Sequence, residues 1–206
     1  ILTGHADGII TIVLSEADDA AREAHRQDMG EAYRTLLGHF RHEVGHYYWD
    51  RLVRDGGHLE DFRSLFGDER QDYATALDRH YKEGPPPDWQ NRFVSAYASA
   101  HPWEDFAESW AHYLHIVDTL ETARNFRIRA AVPQQDSTAT EARLDMDPYG
   151  NAPCDAILAA WYPLTIAVNE LNRSMGQPDL YPFILAPQAA EKLRFIHEVI
   201  AASKSS

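Results

Sequence analysis

The segment His42-Glu43-Val44-Gly45-His46 places two histidines four residues apart, with a glutamate directly after the first. On a helix, residues four apart lie one turn above each other, so both imidazoles can bind one Zn²⁺. The intervening glutamate then projects toward the open coordination position, where it can act as general base for a metal-activated water. The sequence therefore predicts one catalytic zinc ion, with His42 and His46 as ligands and Glu43 as the base.

A third protein ligand is needed, because a catalytic zinc site combines three protein ligands with one open position. The segment WEDFAE, residues 103–108, supplies the best candidate in Glu104, at the start of a second predicted helix. Glu108, one turn later, is predicted to hydrogen-bond a ligating histidine. The alternative for Glu104 is a solvated carboxylate that the helix dipole favours in a first turn.

The helices that must position these residues can be read from hydrophobic periodicity. A helix is predicted from Glu31 to Arg54, before a Gly-Gly pair, and a second from Pro102 to about Arg124. The first helix has an apolar stripe, which we expect to be buried, on a different face from its histidines. That stripe consists of Leu36, Leu37, Phe40, Val44, Tyr47 and Tyr48.

The rest of the chain is also predicted to be mostly helical. The β-branched run Gly8–Leu14 predicts a strand, and further helices are expected near 16–28, 60–83, 90–100, 155–174 and 187–202. The polar, turn-rich stretch 133–153 predicts a long loop. The predicted fold class is mainly α with a small N-terminal β element (α+β).

Composition excludes several classes of function. The net charge of −13 argues against nucleic-acid binding, which requires a basic surface. No apolar run approaches the roughly 18 residues that span a membrane. The single cysteine, Cys154, cannot form an internal disulfide, which favours a reducing, cytoplasmic setting and excludes a cysteine-rich zinc site.

The combination of HEVGH with a downstream WEDFAE resembles the gluzincin branch of zincin metallopeptidases, whose third ligand is a glutamate on a second helix. Nearly the whole chain resembles the bacterial putative zinc-binding metallopeptidases. This resemblance implies a zincin-like peptidase domain over residues 1–206 that acts on a peptide or protein. It also implies an N-terminal zinc ribbon, which is not in this sequence and whose absence fits a fragment. The run 8–18 is similar to the edge strand with which such enzymes pair an extended substrate.

The same resemblance implies a tyrosine or histidine that donates a hydrogen bond to the oxyanion of the attacked carbonyl. The sequence offers several candidates, which are Tyr73, Tyr97, His101, His112, Tyr113 and His115. We select His112 and Tyr113, because they lie on the predicted helix of Glu104.

Two alternatives to a peptidase stay open at this point. One is a zinc-stabilised binding module without peptidase activity, although such a module has no need of Glu43 as a base. The other is a zinc hydrolase that cleaves a non-peptide amide or ester, because the same metal chemistry serves those substrates.

Overall fold

The computed structural model is mainly helical, as predicted from the sequence, with short β-hairpins. It describes residues 4–6, 8–14, 18, 35–132, 140–141 and 145–204. The predicted helix over 16–28 lies outside the described residues except for Asp18. The chain groups into two compact units, one formed by Ile1–Tyr113 with Phe183–Ser206 and the other by Leu114–Pro182. A single zincin-like domain over residues 1–206 stays a prediction.

The small N-terminal β element is an antiparallel hairpin of two short strands. Strand β1 (Gly4–Ala6) pairs with strand β2 (Ile9–Thr11), and Gly8 in the turn has a φ of 80°, which glycine adopts without strain. The predicted strand Gly8–Leu14 is therefore shorter than expected and has a partner in β1. The hairpin lies against the first helix, where the His5 ring meets the Tyr47 ring edge-on at 6.1 Å.

Helix α1 (Leu36–Tyr48) carries the HExxH motif and continues as a π-helical segment, Trp49–Arg54. Thr35 caps its N-terminus by accepting a hydrogen bond from the Gly38 amide at 2.9 Å. The helix was predicted to begin at Glu31, but residues 31–34 lie outside the described part of the chain.

The apolar stripe of α1 is less buried than predicted. Its buried residues are those of the motif, whereas Leu37 and Phe40 in the apolar stripe are 54% and 44% exposed. There are two reasons. The motif face bears a glycine, which allows another helix to approach closely, and its polar groups have partners inside the protein. Periodicity alone identifies two faces but does not say which one is covered.

Two helices follow, α2 (Leu59–Phe66) and α3 (Tyr73–Glu83), as expected for residues 60–83. The predicted helix over 90–100 is wrong, since this stretch forms two short 3₁₀ turns, Trp89–Asn91 and Tyr97–Ala100. Serine hydroxyls explain the difference, because Ser95 Oγ accepts from the Ala98 amide at 3.1 Å and so competes with helical hydrogen bonding.

Helix α4 (Pro102–Asn125) begins at the proline and ends within one residue of the predicted end. Both of its faces are covered in its first half, where Glu104 and Phe106 are 1% and 0% exposed. Glu104 therefore lies inside the first unit rather than on a solvated face.

The second unit contains the end of α4, a short antiparallel pair and helix α5 (Cys154–Ser174). The pair joins β3 (Ala131–Val132) to β4 (Thr140–Glu141), at the start of the stretch predicted to be a loop. Residues 133–139 and 142–144 lie outside the described residues, so about half of that prediction is untested.

The chain ends with helix α6 (Pro187–Ser203), close to the predicted 187–202. It packs in the first unit, where Phe195 meets Phe66 and where Lys192 Nζ lies 2.6 Å from the buried Asp105 carboxylate. Within the described part of the chain, no helix is both long and apolar enough to cross a membrane.

Candidate metal centre

Three side chains from α1 and α4 converge inside the first unit. His42 Nε2 lies 3.1 Å from His46 Nε2 and 3.0 Å from Glu104 Oε2, and His46 Nε2 lies 3.4 Å from Glu104 Oε1. All three residues are buried, and their nearest donor atoms lie within 4.8 Å of one another. Residues separated by about 60 positions in the sequence thus form one cluster, because α1 and α4 cross at this point.

The donor atoms fit a zinc ion. Ligand atoms on a tetrahedral zinc, at bond lengths of about 2.0–2.2 Å, are separated by about 3.3–3.6 Å. The two histidine nitrogens lie 3.1 Å apart, and each lies 3.0–3.4 Å from one of the two Glu104 oxygens. Moreover, Glu104 Oε2 is buried and accepts no hydrogen bond, although His42 Nε2 lies 3.0 Å away. A buried carboxylate oxygen that accepts no hydrogen bond is suited to bind a cation.

The pKa values of the three residues are shifted by burial and by one another. Burial by itself lowers the pKa of His42, but its contacts with the Glu104 and Glu108 carboxylates raise it well above its usual value. The pKa of His46 is lowered, chiefly by burial. Burial opposes ionisation of Glu104, but its contacts with the two histidines hold its pKa well below the usual range. A metal ion at this place requires His42 Nε2 to carry no proton.

Glu108 fixes the orientation of the His42 ring. Its Oε1 lies 2.7 Å from His42 Nδ1, and its Oε2 accepts a hydrogen bond from Ser95 Oγ at 2.6 Å. Burial raises the pKa of Glu108, but the bond to His42, the charges of His42 and His112 and the bond from Ser95 together outweigh it, and the pKa falls to about 2. The hydrogen bond at Nδ1 leaves Nε2 of His42 facing Glu104 and His46, as a metal ligand requires. Glu108 thus has the contact that the sequence analysis expected, and Ser95 is an additional member.

Gly45 allows α1 to approach α4. A Cβ at this position would lie 3.0 Å from Ala107 Cα and 3.1 Å from Trp110 Cβ. The close crossing explains why the motif face is buried, since any larger side chain would separate the helices. It also places Glu104, three residues before Ala107, opposite the histidine pair.

Glu43 lies beside the cluster without joining it. The residue is 5% exposed, and its Oε1 lies 3.5 Å from His39 Nε2, one turn earlier on α1. Burial raises the pKa of Glu43, but the contact with His39 and the charges of His42 and His46 lower it overall. Glu43 is therefore an ionised carboxylate next to the donor set.

Two tyrosines border the cluster. Tyr73 donates a hydrogen bond to Glu104 Oε1 at 2.7 Å, and the Tyr97 ring lies 6.0 Å from the His42 ring. Burial, together with the negative charge of Glu104, raises the pKa of both phenols, so each stays protonated at neutral pH. Both were among the six candidates for the oxyanion donor, but neither lies on the predicted helix of Glu104, which was the ground for the selection.

The two residues that the sequence analysis selected as oxyanion donors are placed differently. The Tyr113 hydroxyl lies 2.8 Å from His197 Nδ1 of α6. His112 is 5% exposed and meets the Phe183 ring edge-on at 4.5 Å, and burial lowers its pKa to about 4. These contacts do not test the selection of His112 and Tyr113 as oxyanion donors, which stays a prediction. Both residues lie two turns further along α4 than Glu104 and pack into the interior.

Comparison with known proteins identifies the family of this chain. Uncharacterized proteins of Mycobacterium tuberculosis and Mycobacterium bovis are 49% identical to the chain over 201 residues, which are 97% of this chain. The chain spans 56% of the length of these curated relatives. No solved structure shows significant similarity. The model of the family described as putative zinc-binding metallo-peptidase matches residues 1–199, and the chain belongs to this family.

Proposed function

We propose that this chain is a zinc-dependent metallopeptidase of the zincin-like, gluzincin type, with His42, His46 and Glu104 as the ligands of one catalytic ion. The observation that carries the proposal is the convergence of these three donors beside the ionised carboxylate of Glu43. A purely structural zinc site needs a fourth protein ligand and no base. Among the described residues, the cluster contains three ligands, which leaves one position for water or substrate.

The proposed chemistry is hydrolysis of a peptide bond by an activated water. Zinc, when bound, would lower the pKa of water and polarise the carbonyl of the substrate. Glu43 accepts the proton of the attacking water and later delivers it to the leaving amine. An ionised carboxylate suits the first of these steps, and its protonated form suits the second.

The neighbouring residues have orienting roles in this proposal. Glu108, held by Ser95, keeps the His42 ring in the required tautomer. Tyr73 is the oxyanion donor that we propose in place of His112 and Tyr113. It is a neutral phenol beside the ligand Glu104, and at 39% exposure it can reach a substrate.

The decisive experiment is cleavage of a diverse peptide library, read by mass spectrometry, with zinc-loaded wild type and Glu43→Gln. We expect cuts with wild type and loss of nearly all turnover in the variant, with zinc content unchanged. Turnover in Glu43→Gln at the wild-type rate would refute the role of Glu43. Equal zinc content matters, because it separates loss of the base from loss of the metal.

Absence of cuts with zinc-loaded wild type would contradict the peptidase proposal. A library of simple esters and non-peptide amides, tested with the same two proteins, then identifies a hydrolase of other substrates. If those are also untouched, a zinc-stabilised binding module is the better account.

Three finer features belong to the same proposal. The substrate is a peptide or protein, held in extended form near Ile10–Leu14. The full-length protein is expected to carry an N-terminal zinc ribbon, and the expected location is the cytoplasm.

A further inference from the structure

We propose that His39 is a positioning residue that holds the carboxylate of Glu43 in the orientation needed for proton transfer. This inference rests on the proposed function, since it assigns a partner to the base of that reaction. The HExxH pattern does not include His39, which lies one turn before Glu43 on α1.

The contact between the two residues is local and well defined. His39 and Glu43 are four residues apart on α1, so their side chains lie on neighbouring turns of the same face. His39 Nε2 lies 3.5 Å from Glu43 Oε1, and the two side chains are 23% and 6% exposed. The pair thus sits at the margin of the cluster, with the histidine toward solvent and the carboxylate inside.

Glu43 needs such a partner because the ligand nitrogens nearby face other groups. His42 directs Nδ1 to Glu108 and Nε2 to Glu104, while His46 directs Nε2 to the same donor set. In the described part of the chain, His39 Nε2 is the nitrogen that lies near a Glu43 carboxylate oxygen, at 3.5 Å. A glutamate has several rotatable bonds, and a base must stay within hydrogen-bond reach of the proton it accepts. A fixed donor at one oxygen leaves the other oxygen for the reacting water.

A ligand role for His39 does not fit the geometry. The donor set that can hold a metal consists of His42, His46 and Glu104, and the His39 ring lies edge-on to the His42 ring at 6.4 Å. Its Nε2 faces Glu43 instead. The structure therefore separates a group that orients the base from the groups that bind the ion.

The test compares His39→Leu, which removes the donor, with His39→Gln, whose amide can donate from a similar place. His58→Leu is the matched control, because His58 precedes α2 and its side chain makes no capping hydrogen bond. Each zinc-loaded variant is assayed for zinc content and for binding of acetohydroxamic acid by calorimetry. A hydroxamate binds zinc while giving its proton to the neighbouring base, so it reports the base without requiring turnover.

We expect His39→Leu to keep one zinc per chain and to bind the hydroxamate about tenfold more weakly. On a cleaved peptide, kcat should fall about 10- to 100-fold with KM nearly unchanged, a split that indicates loss in the transition state. His39→Gln should recover most of the hydroxamate affinity and most of kcat, and His58→Leu should match wild type. Three results would overturn the assignment. They are wild-type hydroxamate binding by His39→Leu, loss of zinc from His39→Leu, and a His39→Gln variant that is as defective as His39→Leu.

The outcome is separable from that of the proposed function. If wild type cleaves no peptide but His39→Leu and Glu43→Gln both weaken hydroxamate binding, the pairing of His39 with the base stands and the peptidase proposal fails. If wild type cleaves peptides and His39→Leu matches it in both assays, the peptidase proposal stands and this inference fails.

Discussion

Gly45→Ala is the substitution that tests most directly how the fold assembles the centre. The added methyl group would lie 3.0 Å from Ala107 Cα, 3.1 Å from Trp110 Cβ and 3.2 Å from the Ala107 carbonyl oxygen. Ordinary contacts between carbon atoms are about 3.5–4.0 Å, so the helices must separate by a few tenths of an ångström. Two of the three contacts are with backbone atoms, which cannot move aside as a flexible side chain can.

The magnitude follows from two opposing effects. Overpacking of this kind costs about 1–3 kcal/mol, while alanine gains up to about 1 kcal/mol over glycine in a helix interior. We expect a net loss of about 1 kcal/mol in the free energy of unfolding of the zinc-free protein. Zinc affinity should fall more, at least tenfold, because Glu104 moves with α4 while His42 and His46 stay on α1.

The assays are zinc affinity, by competition with a chromophoric chelator, and thermal unfolding of the zinc-free protein. Gly4→Ala is the matched control, since a Cβ at Gly4 meets no atom within 4 Å. That variant should bind zinc as wild type does and unfold at nearly the same temperature. For a chain of this size, 1 kcal/mol corresponds to about 2–4 °C.

Wild-type zinc affinity in Gly45→Ala would refute the reasoning. It would mean either that the crossing of α1 and α4 at Gly45 does not set the position of Glu104, or that Glu104 is not a ligand. Glu104→Gln distinguishes the two, because only a ligand role predicts a large loss of zinc from that variant.

Two further predictions concern other buried charges. Because the pKa of Glu108 is lowered to about 2, its charge stabilises the zinc-free fold above the unfolded-state pKa, and this contribution is lost as the pH falls from about 4.5 toward 2. It amounts to about 3 kcal/mol, so the difference in melting temperature between wild type and Glu108→Gln should be largest near pH 6, less than half as large near pH 3 and small near pH 2; a constant difference would contradict this. Lys192→Met should lower the free energy of unfolding by about 3–5 kcal/mol, because it leaves the buried Asp105 without its partner. Adding Asp105→Leu should restore most of this loss, as measured by thermal unfolding. No recovery in the double variant would show that Lys192 acts through its other contacts.

Local spacing explains what could be predicted about the centre. Residues four apart on one helix must lie on adjacent turns, so the proximity of His42 and His46, with Glu43 beside them, follows from the sequence of α1. Pro102 and the apolar periodicity after it likewise predicted the start of α4. The same local rules predicted that the chain is mostly helical, and the resemblance of nearly the whole chain predicted the family.

Prediction from local spacing failed where side-chain hydrogen bonds compete with helical ones. It also failed to show which face of a helix is buried. The stretch 90–100 has helical periodicity, but serine hydroxyls bind the backbone and leave two short turns. The apolar stripe of α1 is evident from the sequence, yet it is the polar motif face that is buried. The period of apolar residues identifies the faces of a helix, whereas the burial of each face depends on what the rest of the chain packs against it.

The sequence by itself determined the chemical types of the donors, the spacing of the histidine pair and the family. Only the tertiary structure decided that Glu104 faces that pair, that Tyr73 rather than Tyr113 borders it, and that His39 adjoins Glu43. The physical reason is that backbone hydrogen bonding sets distances within a helix, while the rotation and separation of two helices depend on side-chain contacts at their crossing. In this protein the crossing is set by the absence of a side chain at Gly45. The HExxH motif treats this position only as variable.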